Sequence, residues 1–196
     1  MTSSMRRSTK SKKGFEDMRA SESMLTTSTP RSPRVAMAPM VIALQRDAEG
    51  LSQGRHTIST SIEGNADLQG SAKDLYSAFS NLVSNAVRYT PVGGLIRIVW
   101  HSDANGGQLR VTDTGHGIPA AHLPRLTERF YRVSTSRSRE SGGTGLGLSI
   151  VKHVLQLHDA HLQIESEVGV GSTFTCVFIA NRLLSPDSPD LPTEED

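Results

Sequence analysis

The stretch SAKDLYSAFSNLVSNAVRYTP, residues 71–91, decides how the rest of this 196-residue chain is read. Leu75, Ala78, Phe79, Leu82, Val83 and Ala86 recur at the spacing of one helical face. Ser71 is placed to cap the first turn, and Thr90-Pro91 ends the run, because the residue before proline avoids helical backbone. Inside this helix stand Asn81 and Asn85, four residues apart and so on one face, with Arg88 and Tyr89 continuing it. Asparagine is a poor choice for a helix interior, since its amide competes for backbone hydrogen bonds. The row is either a solvated polar face or a set of amide oxygens and a cation aimed at a ligand.

Outward from that helix the periodicity alternates. Towards the N-terminus, APMVIALQRDAEGLSQG (38–54) predicts an amphipathic helix closed by glycine, and HTISTSIEG (56–64) a strand with Ile58, Thr60 and Ile62 on one side. Towards the C-terminus, LIRIVWHS (95–102) and GQLRVTD (107–113) predict two strands joined across DANGG, a hairpin signal. Residues 114–145 are polar, with short helical pieces only. LGLSIVKHVLQLHD (146–159) predicts a helix, and AHLQIES and STFTCVFI a last strand pair around EVGVG. The sum is an α/β two-layer sandwich, with helices on one face of a mixed, largely antiparallel sheet.

Two further stretches depart from ordinary element chemistry. In RVTDTGHGIP (110–119), Leu109, Val111 and Asp113 alternate to the same side, so if the first two face the core the carboxylate does too. A buried carboxylate must find donors. Gly115 and Gly117 follow, permitting positive φ and close approach to the backbone. An Asx-type turn ending the strand and a carboxylate accepting from a ligand amine both fit. In GGTGLGLSIVKH (142–153), Gly142, Gly143, Gly145 and Gly147 run into a helix, whose first N–H groups and dipole suit an anion. A flexible linker is the alternative, against which Leu146 and Leu148 count. The spacing fits neither G-x-x-x-x-G-K-[ST] nor G-x-G-x-x-G, the third position of the latter being Ile150. Taken together, the three stretches describe one site for a magnesium–nucleotide complex.

NLVSNAVRYTP, DTGHGIP, RFYR and GGTGLGLSIVKH resemble, in order and spacing, the N, G1, F and G2 boxes of the ATP-binding domain of sensor histidine kinases. The resemblance runs from about Val35 to Asn181. The longer run HLPRLTERFYRVSTSRSRESGGTGLGLSIVKHVL is similar, more narrowly, to the phosphate-regulon sensor kinases of Gram-negative bacteria. It implies the Bergerat ATP-binding fold, ATP and Mg²⁺ as cofactors, and transfer of the γ-phosphoryl to a histidine. By the resemblance, Asn85 ligates Mg²⁺, Asn81 helps hold the phosphates and metal, Arg88 stands where a cation meets the phosphates, and Tyr89 packs at the nucleotide. Asp113 accepts from the adenine amino group, with Gly115, Gly117 and Ile118 shaping the pocket. Residues from about Pro119 to Thr144 form a lid anchored by Phe130 and Tyr131 and carrying Arg137 and Arg139. Thr144, Gly145, Leu146, Gly147 and Leu148, with Gly143, close over the triphosphate. In the related ATPases a glutamate four residues before the metal asparagine activates water; here that position is Asn81, which favours transfer to a protein acceptor.

The family's acceptor histidine lies in a segment reading like S-H-E-L-R-T-P, and none of the seven histidines, His56, His101, His116, His122, His153, His158 and His161, has that context. The expected partner is therefore a histidine-bearing dimerisation domain outside this chain, with a response regulator reached indirectly. The chain alone is expected to be a monomer that does not phosphorylate itself. A truncated, non-catalytic nucleotide-binding module and a serine kinase of the anti-sigma type are the alternative readings.

Charge and composition bound the rest. Residues 1–34 carry eight Lys/Arg against three Asp/Glu and read as a disordered or remnant segment; FEDMRASESMLTTS (15–28) fits a damaged second helix. Residues 35–182 are assigned to the catalytic domain, and 183–196, including SPDSPDLPTEED, to an acidic disordered tail. The near-neutral centre speaks against a nucleic-acid surface. No run approaches the ~20 apolar residues of a membrane span, and the basic start leads to no apolar signal core, so no membrane contact and a cytoplasmic location are expected. The single Cys176, inside an alternating apolar strand, is expected to be a buried structural thiol.

Overall fold

The computed structural model describes residues 33–133 and 144–185. The predicted segments at 1–32 and 186–196, the glycines Gly142 and Gly143, and the lid arginines Arg137 and Arg139 lie outside the described residues. Among the described residues, three α-helices, α1 (Met37–Ser52), α2 (Ala72–Tyr89) and α3 (Gly147–Leu157), accompany eight strands. Five strands, β2 (Thr57–Glu63), β4 (Leu95–Asp103), β5 (Gly106–Asp113), β6 (Ala160–Glu167) and β7 (Gly171–Ile179), form one sheet in the order β2-β4-β5-β7-β6. The pairing β2–β4 is parallel and the others are antiparallel, so the sheet is mixed and largely antiparallel, as the sequence predicts.

The helices bury their apolar stripes on one face of this sheet. Alternation sends Ile96, Ile98 and Trp100 of β4, Leu109 and Val111 of β5, and Phe174, Cys176 and Phe178 of β7 into the same core as Leu75, Phe79 and Leu82 of α2. Phe178 is the centre of an aromatic cluster, meeting Phe79 and Trp100 edge-on at centroid distances of 6.3 Å each. The Trp100 indole N–H is satisfied by the Ala66 carbonyl at 3.0 Å. Cys176 is fully buried, and that burial pushes its thiol well above the ordinary range, so it stays an inert core group.

Helix α2 begins as its sequence requires: Ser71 Oγ accepts from the Asp74 N–H at 3.3 Å. A second support comes from α3. The buried His158 ring donates from Nδ1 to the Val154 carbonyl (2.8 Å) and accepts at Nε2 from the Ser71 N–H (3.0 Å). One imidazole thus ties the end of α3 to the start of α2. At the other end of α2 the Thr90 hydroxyl and N–H both turn back to the Ala86 carbonyl.

Three features differ from the sequence reading. Helix α1 closes on Gln53 in the left-handed region (φ 49°) before Gly54 rather than on glycine directly. A second, three-stranded sheet joins β1 (Arg34–Val35), β3 (Asp67–Gln69) and β8 (Leu183–Leu184). Arg34 and Leu183–Leu184, assigned above to the flanking segments, are therefore part of the fold. Asp67 holds this sheet to α1 by pairing with Arg34 at 3.1 Å and accepting the Met37 N–H at 3.0 Å. Strands of two or three residues carry too little periodicity to be seen in a sequence.

Candidate functional site

The cleft lies between α2, the carboxyl end of β5 and the start of α3, and has a volume of about 660 Å³. Helix α2 contributes Asn81, Ser84, Asn85, Arg88 and Tyr89 to its wall. The two asparagines are on one face, as their spacing predicts, and that face borders the cavity. Asn81 is partly committed: its amide Nδ2 donates to the Ser77 carbonyl at 2.8 Å, which fixes the flip and leaves Oδ1 as the free atom. That oxygen lies against Gly147, the first residue of α3, where an added Cβ would sit 2.9 Å from it. Gly147 therefore permits α3 to begin directly beside the asparagine face. Asn85 and Arg88 make no hydrogen bond or ion pair among the described residues. Their side chains are available to a ligand.

Asp113 ends β5 on the inward side, next to Val111 and Leu109, and is 6% exposed. Its Oδ1 accepts the Gly115 N–H at 2.8 Å. Burial is the main influence on this carboxyl and raises its pKa, opposed by the Gly115 and Ser172 N–H groups. So the turn reading and the ligand reading of Asp113 coexist: one oxygen makes the Asx-type turn, and the residue still lines the cavity. The loop that follows is shaped around this carboxylate. Gly115 cannot carry a side chain, because a Cβ would lie 2.6 Å from Asp113 Oδ1 and 2.7 Å from the Tyr89 carbonyl. Gly117 adopts φ +66°, and a Cβ there would run into the Glu167 carbonyl. The Ile118 N–H donates to Ser166 Oγ at 2.8 Å, and the His116 carbonyl accepts the Gly169 N–H at 2.9 Å, which docks the loop on the β6–β7 hairpin.

Of the residues expected at the site, Asn81, Asn85, Arg88, Tyr89, Asp113, Gly117, Ile118, Thr144, Gly145, Gly147 and Leu148 line this one cavity. Gly115 and Leu146 are not among the residues that line it. Phe130, expected to contact the cofactor and anchor the lid, is not among the residues lining the cavity; the residue is 71% exposed, and its backbone makes the contact. The Phe130 N–H donates to the Gly145 carbonyl at 2.9 Å, both residues have positive φ (64° and 72°), and a Cβ on Gly145 would fall 2.8 Å from the Phe130 carbonyl carbon. Main chain thus joins Phe130 to Gly145. The sequence reading missed Leu126, Val133, Ser172 and Phe174 as cavity residues. For Ser172 the signal was its register opposite Asp113, which only the β5–β7 pairing reveals.

The profile of histidine kinase-, DNA gyrase B- and HSP90-like ATPases matches residues 70–182, from the residue before the Ser71 cap to the end of the sandwich. The chain belongs to this ATPase family. Its fold is that of solved histidine kinase catalytic domains. Among curated relatives, the phosphate regulon sensor protein PhoR of Pseudomonas aeruginosa is 56% identical over 145 residues, covering 74% of this chain and 33% of the relative. The PhoR of Haemophilus influenzae is 38% identical over 166 residues, covering 85% of this chain and 39% of the relative. The chain thus spans between a third and two-fifths of these relatives' length. Among solved structures, the mycobacterial sensor histidine kinase MprB superposes with a TM-score of 0.63 at 25% identity, covering 76% of this chain and 97% of that one. The catalytic domain of the histidine kinase ThkA, at 18% identity and TM-score 0.65, shares the fold, covering 75% of this chain and 96% of that one. No helix among the described residues is long and apolar enough to cross a membrane.

Proposed function

We propose that this chain is the ATP-binding catalytic portion of a PhoR-like sensor histidine kinase, and that it transfers the γ-phosphoryl group to a histidine on a separate dimerisation domain, from which a response regulator is served. The observation that carries this reading is the convergence of Asn81, Asn85, Arg88 and the buried Asp113 on one cavity. The identity to PhoR supports the subfamily.

The residues present fit ATP. Asp113 offers an acceptor in a water-poor pocket, where a hydrogen bond from an exocyclic amine discriminates strongly, because a base lacking that donor leaves a buried carboxylate unpaired. Gly115 and Gly117 keep that approach open. At the other end, the first N–H groups of α3 and the Arg88 guanidinium face the same space and favour an anion. The side-chain oxygens of the asparagine face also fit Mg²⁺, which characteristically takes one or two protein oxygens and completes its shell with water and phosphate. Asn85 would hold it, with Asn81 Oδ1 near. The metal would neutralise charge on the transferring phosphoryl group. Among the described residues lining the cavity the only carboxylate is Asp113, already bonded to Gly115. A carboxamide at Asn81 takes no proton from water. The chain's own contribution is positioning and charge, which is what phosphoryl transfer chiefly asks for, and it supports an acceptor histidine over hydrolysis.

The test is trans-phosphorylation. The purified chain, labelled ATP and an intact acceptor-helix domain of a PhoR-like kinase should give acid-labile label on that domain and none on the chain. ATP binding without transfer would replace this reading with a nucleotide-binding module, and label on serine with a kinase of the anti-sigma type. Label on a histidine of this chain alone would refute the missing-acceptor reasoning.

A further inference from the structure

One cluster at the cavity is left unexplained by the asparagine face, Asp113 and the glycines. Tyr131, whose side chain is half-buried, lines the cleft. Its hydroxyl is taken: it lies 2.6 Å from His122 Nδ1. One face of its ring is taken as well, since the Arg125 guanidinium sits 4.3 Å from the centroid. Arg125 is held over that face by a bidentate bond to Glu128, with Nε at 3.2 Å from both oxygens and an Nη at 3.1 Å. With the hydroxyl and one face occupied, the ring's other face is what remains to meet the cavity.

The local chain explains why this arrangement forms. Residues Ala120–Arg125 make a 3₁₀ helix starting after Pro119, and its tight turn places His122 and Arg125 three residues apart on one side. The chain then returns through Glu128 to Tyr131, whose N–H donates to the Glu128 carbonyl at 3.3 Å. Phe130, immediately before, has a positive φ, and its ring turns outward while that of Tyr131 turns back. A ring held at both its hydroxyl and its back face loses little freedom on binding, so contact with it is gained without ordering a loose side chain. The cation behind the ring draws its π density, which suits the free face to an electron-rich planar partner.

The geometry points to His122 and Arg125 as positioning residues that lock the Tyr131 ring as a flat wall of the nucleotide cavity, so that ATP affinity depends on a hydrogen bond to which neither ATP nor metal is a party. This rests on the reading of the cavity as an ATP site, and the experiment separates the two.

Calorimetric titration of Mg·ATP into the whole chain, and into H122A, Y131F and the double variant, tests it. Each single variant should weaken binding roughly three- to tenfold, the span of one lost hydrogen bond, with the double variant no weaker than either. His122→Asn, whose amide reaches about the place of Nδ1, should recover most of the loss. A general loosening of the fold would not be rescued by Asn and would lower the unfolding midpoint of H122A; the midpoint should stay put. Multiplying losses in the double variant, or unchanged affinity in H122A and Y131F, would overturn the lock. Absence of binding in the unaltered chain would overturn the ATP reading itself.

Discussion

Replacing Asp113 by Asn changes the polarity of one buried group at nearly constant volume, which separates its ligand role from its structural one. In the folded chain Oδ1 must keep accepting from the Gly115 N–H at 2.8 Å. The Asn amide will therefore turn its oxygen to Gly115 and its NH₂ to the position of the second carboxylate oxygen. There it faces the adenine amine as donor against donor. A hydrogen bond to a charged acceptor contributes about 1.5–3 kcal/mol, so Mg·ATP should bind roughly 10- to 150-fold more weakly. Stability should move far less, within about 1 kcal/mol, since the amide removes a carboxylate that burial already disfavours. The pH dependence supplies a second readout. The folded pKa of Asp113 is raised above its ordinary 3.8 by burial, so the native state binds more protons than the unfolded one between those values. This group's penalty on stability is therefore absent below the lower value and sets in as pH rises through the window. ATP binding has the opposite sign, since the ionised carboxylate is the stronger acceptor for the amine: affinity should fall as pH drops towards that raised pKa in the unaltered chain, and this component of the fall should be missing in D113N. Calorimetric titration at neutral and mildly acidic pH, with thermal unfolding as control, measures both. An affinity within twofold of the unaltered chain at neutral pH would remove Asp113 from base recognition.

Asn85→Ala should abolish Mg²⁺-dependent ATP binding while raising helix stability by about 0.5 kcal/mol, because Asn85 makes no internal bond and alanine is the better helix former; a fall in the unfolding midpoint would show that Asn85 holds the fold instead. Gly117→Ala combines a left-handed backbone with a clash on the Glu167 carbonyl, and should cost about 2 kcal/mol or more in a urea titration. An unchanged midpoint would mean that the loop relaxes freely. His158→Ala leaves the Ser71 N–H unpaired in a buried setting and should cost about 2–4 kcal/mol, with ATP affinity of the folded fraction unchanged. A loss of affinity larger than the loss of stability would assign His158 to the site.

The sequence shows this site because its functional residues break local rules that elements otherwise obey. Asn81 and Asn85 lower the propensity of a helix whose stripe is unambiguous, and Asp113 continues an inward alternation set by Leu109 and Val111, so both stand out against a clear pattern. Gly115, Gly117, Gly145 and Gly147 stand out by density, and in each of the four a Cβ would collide with a named neighbour. What stayed hidden obeys every local rule. Phe174 reads as an ordinary strand residue and Ser172 as a strand start, and both reach the cavity only through the β5–β7 register. Phe130, an anchor by the resemblance, meets Gly145 through its N–H while the residue is 71% exposed, a backbone contact that no side-chain pattern reveals.

The same logic explains why Asn81 could be read as part of the site but its working atom could not. Helical spacing puts its side chain on the ligand face; only the bond from Nδ2 to the Ser77 carbonyl shows that Oδ1 is the atom presented, and only the contact at Gly147 shows that α3 begins against it. A glutamate would be one methylene longer, and as a carboxylate it has no N–H with which to make the Ser77 bond, while both its oxygens would stand as bases beside the start of α3. The carboxamide therefore fixes the side chain and withholds the base in one substitution. On the proposed reading, the choice at this position between activating water and presenting phosphate to another protein rests on the chemistry of one side chain.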